Sequence, residues 1–456
     1  MTGVLAAYRE AVGGSVLTRR IGRVRELGGL SVEVEQLDAT VGELCTIWPR
    51  QSPDQAPGKT VPVLAEVVGV RAGHLALMPY GSVQGLAAGC EVVAQGQQPQ
   101  IAVSDGLLGR VIDGFGTPLD GRPAPKSGVL RSLRAVPINP MERPRITRVL
   151  ETGVRAIDSL LTLGQGQRVG IFAGSGVGKS TLLGMVARHV KADVNVIALI
   201  GERGREVKEF IDKQLGEQGL RRSVVVVAAS DQPALARLRA AYAALAIAEH
   251  FRDQGKQVLL TLDSITRFAM ARREVGLAAG EPPTARGYTP SVFAELPQLC
   301  ERCGTSPSGG SITALMTVLV EGDDMNEPVS DNMRAILDGH IVLSRQLAHA
   351  GQYPAIDVLQ SSSRVMPDIT SPTHRELAVE TVKQIAMLER NRQLVDIGAY
   401  ERGSNAQLDF ALAHQPRLVD WLRQREGGVP MAQGLGALAE IFKGPAEAAR
   451  PSVRKT

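Results

Sequence analysis

At 456 residues the chain is too long for a single hydrophobic core and is expected to divide into two to four domains. An apolar share of 44% and a charged share of 21% are those of an ordinary globular protein and argue against a disordered or membrane-spanning chain. A net charge of +4 with only 4% aromatic residues is a poor endowment for gripping nucleic acid, so no nucleic-acid partner is expected.

At the N-terminus, Met1 to Ala11 carries Arg9 and Glu10 and has no long apolar centre, which reads as a cytoplasmic start and not as a secretory signal. Basic clusters at Arg19, Arg20, Arg23 and Arg25, and at Arg450, Arg454 and Lys455, are read as solvated faces, with anionic lipid or an acidic partner as the alternative. From Val16 to Ala94 short alternating segments follow one another. Arg20 to Glu26 and Leu30 to Glu35 flank Gly28-Gly29, and Ala65 to Val70 precedes His74 to Met78, a pattern that predicts a small antiparallel β-barrel. Val103 to Arg148 is rich in Gly and Pro and is expected to be a packed connector.

Between Thr152 and Ser363, apolar runs at Arg168 to Ala173, Val194 to Ile200, Val224 to Ala229, Val258 to Leu262 and Ile312 to Val320 alternate with helical patterns. That alternation predicts a mostly parallel sheet covered by helices. Ser371-Pro372 then supplies a cap and a first-turn proline, and Leu377, Val382, Ile385 and Leu388 recur at helical spacing. The predicted domains are residues 1–95, 96–365 and 366–456: barrel with a leading segment, α/β domain, and helical domain. Cys300-x-x-Cys303 stands alone, without a second pair to complete a metal site, and is read as packing.

The chemistry centres on Ala173-Gly174-Ser175-Gly176-Val177-Gly178-Lys179-Ser180, between a predicted strand and a helix whose apolar face holds Leu182, Leu183, Val186 and Val190. Glycines in such a loop let backbone N–H groups turn toward phosphate oxygens, and the helix N-terminus adds partial positive charge. Lys179 is then expected on the β and γ phosphates of ATP, Ser180 on Mg2+, and Thr181 on the α phosphate. Asp263 ends an apolar strand and is the second expected metal contact. Glu202, just after the strand ending at Ile200, is the candidate for orienting or deprotonating water. Glu206 is its rival, or else a partner for Arg203 or Arg205.

Several motifs extend this picture: Leu108 to Gly121, Gly201 to Phe210, Leu262 to Arg267, Gly287 to Phe293, Glu321 to Pro328, Leu337 to Arg345, and Pro354 to Asp357 with Ser361 and Ser363. With the GSGVGKS loop they resemble the export ATPases of type III secretion, relatives of the catalytic subunits of rotary ATP synthases. The resemblance covers nearly the whole chain. It implies a RecA-like P-loop domain and a homohexameric ring with six equivalent interfaces. Arg364 would then be an arginine finger reaching the neighbouring subunit's site, and Tyr353 would lie against adenine or else pack in the core. Arg203 and Arg267 would join the interface network or form structural salt bridges. Leu315 and Met316 stand where relatives commonly carry an aromatic pair.

Within that family the resemblance favours flagellar protein export, with the virulence injectisome as the runner-up and an RNA-translocating hexameric helicase as a remote alternative. It further implies a stator-like regulatory partner at the N-terminal segment Thr2 to Val12, a central stalk, export-gate membrane proteins and chaperone–substrate complexes. The implied location is the cytoplasm, peripheral to the inner membrane at the export apparatus.

Overall fold

The computed structural model describes residues 19–50, 61–71, 73–320, 322 and 324–443. The segment from Thr2 to Val12 and the basic tail at Arg450, Arg454 and Lys455 lie outside the described residues.

Six strands form the first unit: β1 (Arg20–Gly28), β2 (Ser31–Glu35), β3 (Leu44–Trp48), β4 (Val63–Arg71), β5 (His74–Pro79) and β6 (Glu91–Ala94). They close in the order β1-β2-β5-β4-β3-β6. Val24, Val32, Val34, Ile47, Val67 and Leu77 are buried together in the barrel core, and in β1 and β2 they alternate with more exposed neighbours. The barrel is tied to the connecting segment by Glu66, buried, which accepts from the Tyr80 hydroxyl and from Arg134 Nη2 at 2.9 Å.

Next come β7 (Gln100–Val103) and β9 (Val129–Ser132), which pair with each other, and β8 (Arg110–Asp113) between them. β8 corrects the sequence expectation of a connector, because it joins the central sheet as a parallel edge strand beside β14 (Ser223–Ala228). A strand of four residues is too short to show a period. Its turn is held by Arg110, which donates to both Asp120 oxygens at 2.7 and 2.9 Å.

The central sheet contains β8, β14, β12 (Arg168–Ala173), β13 (Val194–Ile200), β15 (Gln257–Asp263), β17 (Ser311–Leu319), β18 (Gly339–Leu343) and β19 (Ile356–Ser363). Short pieces β10 (Val149–Leu150), β11 (Leu163–Gly164) and β16 (Gly304–Thr305) flank it. The order is β19-β18-β12-β17-β15-β13-β14-β8, parallel except for β19. Helices α1 (Arg155–Leu160), α2 (Lys179–His189), α3 (Ala234–Asp253) and α4 (Ile265–Ala279) cover the two faces, so the strands are apolar on both sides. Helix α5 (Pro290–Glu301) ends at the CxxC pair, and both thiols are buried, Cys300 Sγ lying 3.6 Å from Met316 Sδ.

The C-terminal unit is α6 (Pro372–Asp396), α7 (Ala406–Leu422) and α8 (Met431–Lys443). Ser371 caps α6 by accepting from His374 N, as its position before Pro372 predicts. The deepest face of α6 differs from the apolar stripe read in the sequence: His374, Ala378, Thr381 and Gln384 are buried, while Leu377, Val382 and Ile385 are half-buried beside them. His374 Nε2 lies 2.8 Å from the Ser159 carbonyl, so a polar contact with α1 sets the helix rotation. Among the described residues no helix is long and apolar enough to cross a membrane.

Candidate active site

The chain leaves β12 at Ala173 and enters α2 at Lys179 through the glycine-rich loop. Gly178 has φ 92° and Gly176 φ 79°, left-handed conformations that a side chain would strain. Val177 turns into the core at 2% exposure and pins the loop, whereas Ser175, Gly176, Ser180 and Thr181 are exposed. Leu182, Leu183, Val186 and Val190 are buried and fix α2 against the sheet. No side chain caps the N-terminus of α2, so its first amides and the helix dipole are left for an anion.

Beneath the loop, Lys179 Nζ lies 2.5 Å from Asp263 Oδ1 and 3.3 Å from Glu202 Oε1. Glu202 and Asp263 come from the C-terminal ends of the neighbouring strands β13 and β15, which pair with Leu199 opposite Asp263, while Lys179 opens α2. Burial alone would lower the ammonium's pKa, but the two carboxylates outweigh it and hold Lys179 charged above its ordinary range. Burial raises the Glu202 carboxyl; the Asp263 charge adds to the rise and Lys179 offsets part of it. A glutamate held above its usual range beside a phosphate loop has the character of a base ready to take a proton.

Thr317 completes the group by donating its hydroxyl to Asp263 Oδ1 at 2.7 Å. Sequence reasoning gave it no role; the available signal was a buried polar residue in an apolar strand, one step past Met316, which pairs with Leu262. Arg345 was likewise missed, and its Nη1 is 3.4 Å from the Ser175 carbonyl in the loop. Glu206 pairs with Arg203 at 3.4 Å on the exposed start of the next helix, so these two are drawn to each other and not to Lys179. Arg267 packs its stem against Gly201.

Tyr353 stands over the loop, 43% exposed: a Cβ placed on Gly178 would lie 3.3 Å from its Cδ1. Arg364 is elsewhere. β19 runs antiparallel to β18, with Leu343 opposite Ile356 and Gly339 opposite Ser363. Arg364 therefore follows the far end of β19 and lies roughly 17 Å along the strands from the loop. It is exposed, and its Nη2 donates to the Arg334 carbonyl at 3.3 Å.

For a divalent cation, the residues present fit a Mg2+ shared with phosphate. Asp263 and Ser180 offer a carboxylate and a hydroxyl, and the described residues contain no cluster of three or more His, Cys, Asp or Glu that would cage a metal unaided. Hard oxygen donors in small number, with substrate phosphates and water making up the shell, suit Mg2+.

A family profile for the nucleotide-binding domain of the ATP synthase alpha/beta family matches residues 153–363, and one for the T3SS EscN ATPase C-terminal domain matches 370–440. The flagellum-specific ATP synthase of Bacillus subtilis is 53% identical over 407 residues, covering 89% of this chain and 91% of that one. The chain belongs to the flagellar and type III secretion ATPase family. It is accordingly an ATP-hydrolysing enzyme. Another family member, the SPI-2 type 3 secretion system ATPase of Salmonella typhimurium, is 49% identical over 410 residues, or 90% of this chain and 92% of its own. The assembled ATPase EscN of the enteropathogenic E. coli type III secretion system superposes with a TM-score of 0.85 at 43% identity. It covers 92% of this chain and all of that one. EscN in complex with its central stalk EscO gives 0.83.

Proposed function

We propose that this chain hydrolyses Mg-ATP at the P-loop of each subunit in a homohexameric ring and thereby energises flagellar type III protein export. The observation that carries the chemical part is the convergence of Lys179, Asp263 and Glu202 beneath an exposed phosphate loop. In this reading residues 173–181 cradle the phosphates, Lys179 neutralises the β and γ oxygens, and Ser180 and Asp263 hold the cation. Mg2+, when bound, supplies further neutralisation of the charge on the transferred phosphoryl group. Glu202 orients the attacking water and receives its proton, which the raised carboxyl pKa favours. Arg364, too distant to serve its own loop, acts on the neighbouring subunit's γ phosphate, and Arg203 supports that interface. Tyr353 stacks on the adenine.

The ring and a central stalk are supported by the assembled EscN structures, with and without EscO. Export-gate proteins, chaperone–substrate complexes and a stator-like partner of the N-terminal segment belong to the same reading. So does a cytoplasmic location peripheral to the inner membrane. The organisation proposed is 1–95, 96–365 and 366–456. The SPI-2 relative favours a second reading, a virulence injectisome, on the same chemistry.

Phosphate release at saturating Mg-ATP tests the enzyme. Lys179→Ala is expected to lose at least ~1,000-fold in turnover. Turnover that survives this change, or that is indifferent to Mg2+, would contradict the site. Deletion of the gene in its own bacterium is expected to abolish flagellar filaments; intact filaments with lost secretion into host cells would assign the injectisome instead.

A further inference from the structure

The segment joining α7 to α8, residues 423–430, touches the nucleotide machinery at both ends of α2. At one end, Gln424 N donates to the Tyr353 carbonyl at 2.8 Å, and Arg423 Nη2 donates to the Ala350 carbonyl at 3.3 Å in the same loop. At the other end, Gly427 and Gly428 lie against the ring of His189, the last residue of α2. A Cβ on Gly427 would overlap that ring, and one on Gly428, whose φ is +90°, would sit 2.8 Å from Nδ1. An eleven-residue helix is about 16 Å long, so it is the segment together with Tyr353 that links the two ends of the P-loop helix.

Gln424 is the pivot of this segment. Its side chain is 5% exposed and uses both ends of its amide: Nε2 donates to the Gly153 carbonyl at 2.9 Å, and Oε1 accepts from Arg155 N at 2.8 Å. The Gly153 carbonyl also accepts from Gly428 N at 3.0 Å. A buried amide satisfied at both ends by backbone groups has one orientation, because any other leaves polar groups unpaired.

We infer that Gln424 is a positioning residue that locks the Tyr353 loop to the segment between α7 and α8, so that nucleotide occupancy and the stance of the C-terminal helices form one equilibrium. This rests on Tyr353 being the base-stacking residue. A base pressed against Tyr353 favours one position of residues 350–353. That position is transmitted through the Tyr353 carbonyl to the Gln424 main-chain N–H, which the Gln424 side chain anchors to Gly153 and Arg155, and from there to α7 and α8. By linkage, a load on those helices changes nucleotide affinity by the same factor.

Trp421 is a built-in reporter. It is buried at the end of α7, donates from Nε1 to the Gly434 carbonyl of α8 at 3.1 Å, and has Arg155 above its ring. The only other tryptophan, Trp48, lies in the barrel and is replaced by Phe for the experiment. Full-length protein is titrated with Mg-ADP, binding being read by calorimetry and Trp421 emission in parallel. Expected is an emission shift on binding in the parent protein, no shift in Gln424→Ala, and affinity about tenfold weaker in that variant. Tripolyphosphate, which lacks a base, is expected to bind without a shift.

Gly427→Ala provides a second route should Gln424→Ala misfold: it is expected to weaken Mg-ADP binding, and adding His189→Ala, which removes the overlapping ring, to restore it. A full emission shift and unchanged affinity in Gln424→Ala would overturn the inference, as would failure of His189→Ala to rescue. If Tyr353→Ala leaves Mg-ADP affinity unchanged while Lys179→Ala abolishes it, the base-stacking reading falls. If Tyr353→Ala weakens binding but Gln424→Ala still reports normally, the joint alone falls.

Discussion

The two ends of the central sheet are both rich in charge and use it differently. At the end away from the loop, Arg168 is bound by Asp338 at 2.9 Å and by Glu301, and Arg143 donates to the carbonyls of Cys303 at 2.7 Å and Glu301. Arg143 also lies 3.7 Å from a Glu301 carboxylate oxygen, so both charges are matched within the chain and serve architecture. Arg364, at the same end, stays exposed with a carbonyl as its partner. At the loop end, Lys179 is shared between two carboxylates under an open phosphate cradle, which the proposed function completes with an anion and a cation. Matched charge marks scaffold. In the proposed mechanism, the exposed Arg364 and the shared Lys179 are where another molecule docks.

The largest effect expected after loss of Lys179 is from Glu202→Gln, which keeps the shape and removes the base. Turnover should fall by at least ~100-fold while nucleotide affinity changes by less than about threefold. Because burial raises the Glu202 carboxyl, kcat/KM should climb with pH through a value above the ordinary glutamate range, protonated Glu202 being inactive below it. A pH–rate profile of the wild type checks this, and the climb should vanish in Glu202→Gln.

Removing arginines from the far end separates scaffold from docking. Arg168→Ala leaves Asp338 without its partner and should cost about 2 kcal/mol in denaturant unfolding, discounted for partial exposure. Arg364→Ala should change stability by less than about 0.5 kcal/mol. Equal losses would erase the distinction. The smallest effect on turnover is from Thr317→Val, which removes the hydroxyl that aims Asp263; turnover is expected to drop about three- to tenfold with Mg2+ requirement raised, read from Mg2+ titrations of kcat.

Much of this was legible from the chain because the decisive signals are local. The glycine loop sits between a recognisable strand and helix, Asp263 ends an apolar run, and Glu202 follows another. The barrel strands announce themselves by alternation around Gly28-Gly29. What stayed hidden depends on partners far apart in sequence. β8 becomes a strand only because β14 accepts it. Thr317 acquires a role through the register of β15 and β17. His374 lies on the buried face of α6 because α1 offers it a carbonyl and not because a period placed it there. Gln424, the pivot of the C-terminal segment, sits in a stretch with no period or motif at all.

The central claim is that each loop is completed by the arginine at the opposite end of a neighbour's sheet, and a mixing experiment tests it most directly. Lys179→Ala subunits keep Arg364, and Arg364→Ala subunits keep the loop; each variant alone should show almost no phosphate release. Mixed before assembly, they should recover activity in proportion to the interfaces where an intact loop meets an intact arginine. A mixture as inactive as its parts, or an active Arg364→Ala protein on its own, would contradict the shared site.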